Sequence, residues 1–128
     1  MYYQAYLQFL SKLKREIKIS FYVGQTELYI DCGFEKEAWQ ISTKIFDGHG
    51  SIPIGIKECL SSLNHFRWQT ESPALKANLD TGIVMLSQKI HPITDYKAFE
   101  ALIKTFLEFE TLWKEFLCEF GKKEPLSV

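Results

Sequence analysis

From residue 96 to residue 120 the chain repeats its large apolar side chains on a seven-residue rhythm, and that rhythm admits few folds. Phe99, Phe106, Trp113 and Phe120 share one heptad position; Leu102, Phe109 and Phe116 share the position three further on. Successive members stand three or four residues apart, so on an α-helix all seven line one face. Ile103, Leu112 and Leu117 widen the stripe, whereas Lys97, Glu100, Lys104, Glu108, Thr111 and Lys114 lie largely off it. Burying one such side chain is worth roughly 1.5–3 kcal/mol. This face must therefore meet a sheet, another helix or a second subunit.

A chain of 128 residues is long enough to enclose a real core. The expected unit is one domain over residues 1–121 with a polar tail over 122–128. Hydrophobic residues make up 46% and aromatics 15%, which excludes a disordered chain. With 15 basic and 16 acidic residues, a net charge of -1 provides no field to gather phosphates, so no nucleic-acid partner is expected. The cluster Lys12, Lys14, Arg15 and Lys18 reads as the solvated end of a helix. No apolar run reaches bilayer length, so no membrane insertion is expected. The start, MYYQAYLQFLSKLK, lacks the marks of a secretory signal. Cys32, Cys59 and Cys118 are an odd number at wide spacing, which fits a reducing compartment rather than a disulfide framework. The expected location is the cytoplasm.

Periodicity places a first helix over residues 2–17, with Tyr3, Tyr6, Leu10, Leu13 and Ile17 on one side. Strands follow at 21–23 and 27–32, where Leu28, Ile30 and Cys32 oppose Tyr29 and Asp31. After a turn at 33–36, the stretch 38–46 alternates, with Trp39, Ile41, Thr43 and Ile45 on one face. The short Gly-containing link makes these two an antiparallel hairpin. Asp47-Gly48-His49-Gly50-Ser51 is a loop, Ser51 is the expected cap, and Pro53 opens a helix over 52–63. Strand-like segments occupy 66–70, 75–79 and 83–90, with Asp80-Thr81-Gly82 as a hairpin turn. Thr94 or Asp95 caps the C-terminal helix, and Gly121 with Pro125 ends it. The order helix, strands, helix, strands, helix predicts an α+β fold: an antiparallel sheet with one face covered by helices.

Catalytic and metal chemistry find little support in this pattern. His49, His65 and His91 lie in or beside three different connections, without His-x-x-x-His or Cys-x-x-Cys spacing, so no metal and no cofactor is expected. Cys32 and Cys59 fall on inferred apolar faces, where a thiol packs as a small hydrophobe. The DGHGS loop has glycines before a helix but lacks the Walker spacing and its Lys, and reads as a strand-to-helix turn. Asp80 has no second Asp on a matching loop, as aspartic-protease chemistry would need.

The segment LKANLDTGIVMLSQKIHPITDYKAFEALIKTFLEFETLWKEFL resembles the closing section of class I type III secretion chaperones, the Tir-chaperone group. An Asp-containing turn and a Gly separate two apolar strands; a linker and a long aromatic-rich helix follow. The preceding DGHGSIPIGIKECLSSLN fits as the loop entering the middle helix. Related layouts occur in YbjN-like bacterial domains and in type IV secretion adaptors. The resemblance implies a cytosolic, non-enzymatic protein that holds the extended N-terminal segment of a secreted effector and keeps it secretion-competent. It also implies a homodimer, or pairing with a similar small chaperone. The alternatives are a YbjN-like interaction or regulatory domain and a small-ligand carrier using space between sheet and helices.

Residues for these contacts follow from surplus apolar surface. The first helix is apolar on more than one side, which points to a second partner. Tyr3, Tyr6, Leu7 and Leu10, with Trp68 near a probable sheet edge, are the expected partner-binding residues. Ile56, Cys59, Leu60 and Leu63 on the middle helix are the expected dimer contact.

Overall fold

The computed structural model describes residues 1–33, 39–64 and 73–123, without the side chains of 61–64 and 120–123. The elements run α1 (Tyr2–Leu13), β1 (Lys18–Val23), β2 (Thr26–Asp31), β3 (Trp39–Asp47), α2 (Ile54–Asn64), β4 (Ala74–Asn78), β5 (Ile83–Ile90) and α3 (Tyr96–Lys123). The strands form one antiparallel sheet in the order β1-β2-β3-β5-β4. Period-two alternation decides which face is dry. Ile19, Phe21 and Val23 of β1, Leu28 and Ile30 of β2, and Trp39, Ile41 and Ile45 of β3 are buried on the same side. The predicted segment 66–70, with Trp68, lies outside the described residues, as does the side chain of Leu63.

Helices α1 and α3 cover that side together. Phe9 of α1 lies 6.1 Å from Phe21, 5.9 Å from Trp39 and 5.7 Å from Phe99 of α3, ring centre to ring centre. Edge and tilted contacts of this kind favour aromatic pairs beyond the area they bury. The α+β layering expected from the sequence is thus the architecture observed.

Several boundaries and faces differ from the sequence reading. Helix α1 stops at Leu13, four residues early, because the Ile17 carbonyl accepts the Cys32 N–H at 2.9 Å and Lys18 pairs with Asp31. Those bonds draw residues 17–20 into the sheet. The buried side of α1 holds Ala5 and Phe9, not the row through Tyr3, Leu10 and Ile17. Small Ala5 allows close approach, and Phe9 fills the aromatic cluster.

Helix α2 starts at Ile54, with the Lys57 N–H bonded to the Pro53 carbonyl, so Pro53 and not Ser51 stands at its entrance. Asp95 caps α3, its carboxylate accepting the Ala98 N–H at 2.8 Å. The helix runs through Gly121 to Lys123. Its core stripe is Phe99, Ile103, Phe106, Glu110 and Leu117, rotated from the predicted heptad line, and Leu112 is left 60% exposed.

The Gly-rich loop after β3 is a clasp. The Gly48 N–H bonds the Gly82 carbonyl at 2.8 Å and the Gly50 N–H bonds the Thr81 carbonyl at 2.9 Å, extending the β3–β5 ladder beyond Asp47 and Ile83. A Cβ on Gly82 would meet the Ser51 backbone at 2.6 Å, and φ there is +75°.

Candidate functional site

With Phe9 turned inward, α1 presents Tyr3, Leu7 and Leu10 outward, 57%, 48% and 40% exposed. They stand at i, i+4 and i+7, so they form one apolar strip along the helix. Three large hydrophobic side chains thus stand in a row, exposed, on a helix already anchored by its other face. Tyr6 sits at the strip's border. It is half-buried, with its ring 5.1 Å from Phe99 and 5.4 Å from Tyr96. Of the four residues expected on α1, Tyr3, Leu7 and Leu10 are thus available and Tyr6 mainly supports them.

Tyr2 at the start of α1 and the outer side of α3 border a shallow, open depression of about 560 Å³. Tyr2, Leu107 and Leu112 supply its apolar lining, and Lys104, Glu108 and Glu115 line it as well. The Lys104 ammonium lies 5.5 Å from the Tyr2 ring centre, a cation–π distance that ties the two helices. Tyr96 donates to Glu100 at 2.8 Å, and Lys104 approaches the other oxygen of Glu100 at 3.3 Å. These bonds lower the Glu100 pKa, the Tyr96 hydroxyl more than Lys104, and raise that of Tyr96. The far end of α3 carries Trp113 and the exposed Phe116, packed edge to face at 5.4 Å.

Helix α2 is arranged otherwise. Ile56 and Cys59, expected at a dimer contact, are buried in the chain's own core. Leu60 keeps part of its surface, and Ile54 is 59% exposed. Only part of the predicted set is therefore accessible, because α2 must spend one side packing on α3.

Among the described residues the reactive side chains do not converge. Burial pushes the Cys59 thiol pKa up, away from thiolate chemistry. His49 and His91 are exposed, and His65 lies outside the described residues. Among the described residues no three His, Cys, Asp or Glu side chains gather as metal ligands, and no helix is long and apolar enough to cross a membrane.

The open face of the sheet was not singled out by sequence reasoning. Tyr22 and Tyr29 project from it, and Tyr29 donates to Glu27 at 2.6 Å. That hydrogen bond, with partial burial and the Glu27 charge, pushes the Tyr29 pKa up to about 12. The available signal was a tyrosine on the polar side of an alternating strand.

No protein-family model matches the chain, and no curated protein is significantly similar in sequence. Solved structures are similar in fold. A chain of the ExsC–ExsE complex superposes with a TM-score of 0.60 at 20% identity, covering 78% of this chain and 75% of that one. A chain of the HopA1–SchA chaperone–effector complex gives 0.56 at 18% identity, covering 89% and 94%. A chain of the heterodimeric ExoU–SpcU complex from the type III secretion system of Pseudomonas aeruginosa gives 0.52 at 15% identity, covering 84% and 91%. The helix–sheet–helix arrangement described above is therefore an α+β fold shared with chains of these three complexes.

Proposed function

We propose that this protein is a non-enzymatic cytoplasmic chaperone that binds a segment of a secreted effector and holds it in a secretion-competent state. The observation that carries the reading is the outward strip Tyr3, Leu7 and Leu10 on a helix whose opposite side is already committed to the core. A partner without a core of its own loses conformational entropy on binding, and apolar contact along the strip and depression offsets that loss. The N-terminal segment of the effector, in extended form, is the proposed occupant. A second copy of the chain, or a similar small chaperone, joins through the accessible side of α2 around Ile54 and Leu60.

The test is affinity capture from the native cell with the intact chain and with a Leu7→Ser/Leu10→Ser double variant. The intact chain is expected to retain a secreted protein through its N-terminal region, and the folded double variant to release it. Equal capture by both would remove α1 as the binding surface. Failure of the intact chain to retain any secreted protein would remove the chaperone role.

A further inference from the structure

Strand register arranges the open face of the sheet into three rows running across the strands. The middle row is Ser20, Tyr29, Ser42, Ser87 and Ala74, one residue from each strand, and four of the five are small. One flanking row is Lys18, Asp31, Gln40 and Lys89. On the other side, Tyr22 stands opposite Glu27, and Lys44 is aligned with Met85 and Lys76. Small residues between two lines of long ones make a transverse trough, and a concavity of about 500 Å³ lies there, lined by Lys18, Tyr29, Ser42, Lys76, Met85 and Ser87 among others.

The charges of this face are unevenly used. Glu27 accepts the Tyr29 hydroxyl, Asp31 accepts the Gly33 N–H at 2.9 Å, and Asp47 accepts the His49 N–H at 2.9 Å and meets Lys44 at 3.3 Å. Among the described residues no carboxylate lies within ion-pair distance of Lys18, Lys76 or Lys89. Lys18 and Lys76 belong to the two edge strands, so two of these three ammoniums stand at opposite ends of the trough; Lys89 lies on β5, and Asp31 faces Lys18 across the β1–β2 pair. The floor offers the partly exposed hydroxyls of Ser20 and Ser42, whereas that of Ser87 is buried and already accepts the Gln40 amide. An extended backbone needs such partners for its own N–H and C=O groups; a helix does not.

We propose that this trough is a second docking surface, taking an acidic extended polypeptide segment laid across the strands. Its carboxylates meet Lys18 and Lys76, and an apolar side chain between them rests on Tyr29 and Met85. Four strand spacings separate the edge strands, about 19 Å, which an extended chain covers in about six residues. The site lies on the face opposite the α1 strip and does not depend on the role proposed above.

The probes are two fluorescein-labelled peptides of about eight residues, one alternating Glu and Leu and one alternating Lys and Leu, titrated against the full chain by fluorescence polarisation. The Glu–Leu peptide is expected to bind and to weaken with added salt, and the Lys–Leu peptide to bind at least about tenfold more weakly. A Lys18→Glu/Lys76→Glu variant, altered only at exposed side chains, is expected to keep its thermal unfolding midpoint and to reverse that preference. The Leu7→Ser/Leu10→Ser variant is expected to bind the Glu–Leu peptide as the parent does. No binding of the acidic peptide, no reversal by the charge-swapped variant, or loss of binding in the α1 variant would each overturn the proposal.

Discussion

At the residue scale, Glu110 is the side chain least at ease. It occupies a core position of α3 between Phe106 and Leu117, 5% exposed, with one oxygen 3.5 Å from the Lys114 ammonium. Its other oxygen finds no hydrogen-bond partner among the described residues. A buried carboxylate with one oxygen unsatisfied costs more than its single ion pair returns. Glu110→Leu is therefore expected to stabilise the fold by about 1 kcal/mol or more, read as a higher urea midpoint. Tyr29 gives a titration test. Its neutral form is favoured in the folded chain, so its contribution is complete below the ordinary tyrosine value near 10 and is lost as pH rises through about 12. Ultraviolet titration, with Tyr29→Phe as the subtraction, should place its phenolate near that value, and Glu27→Gln should bring it down toward the ordinary one. Gly82 tests the clasp. Gly82→Ala combines a left-handed φ with collision against the Ser51 backbone, whereas Gly50→Ala, at φ +105°, meets nothing within 4 Å. Both are expected to lower the melting temperature, Gly82→Ala by more, with about 1–3 kcal/mol lost.

At the element scale, α1 divides its labour between two faces, and mutation should separate them. Phe9→Ala removes the ring on which Phe21, Trp39 and Phe99 converge, and is expected to cost about 3–5 kcal/mol in denaturant unfolding. Leu7→Ser touches only the outward strip and is expected to change stability by less than about 0.5 kcal/mol. Helix α3 shows what periodicity can and cannot supply. Its existence, Asp95 as an expected cap and the burial of Phe99, Phe106, Ile103 and Leu117 were legible. That Leu112 and Phe116 would face outward while Glu110 faced inward was not. A broad apolar stripe widened by Ile103, Leu112 and Leu117 offers the core neighbouring rotations of similar hydrophobic gain, and the sheet and α2 select one of them.

At the scale of the whole molecule, one sheet face is spent on the core and, among the described residues, the other is left uncovered, while α1 and α3 carry more apolar surface than that core uses. The proposed second copy is tested by light scattering behind size exclusion, where the parent is expected at twice the chain mass and Ile54→Glu at the chain mass. Ile54 is the suitable position because it is exposed on α2, whereas Ile56 and Cys59 are interior. Changing either of those would unfold the monomer and leave the interface untried.

The sequence by itself determined the α+β class, the hairpins at 27–46 and 75–90, the inward sides of β2 and β3, and the surplus of apolar surface on the first helix. These are local properties, since strand alternation and turn chemistry need only neighbours along the chain. Tertiary structure alone decided where α1 ends, which sides of α1 and α3 face inward, and that half of the predicted α2 contact is core. It also decided that five separate strands place Ser20, Tyr29, Ser42, Ser87 and Ala74 in one row. Such outcomes depend on register and packing between segments distant in sequence, and no periodicity within one segment contains them.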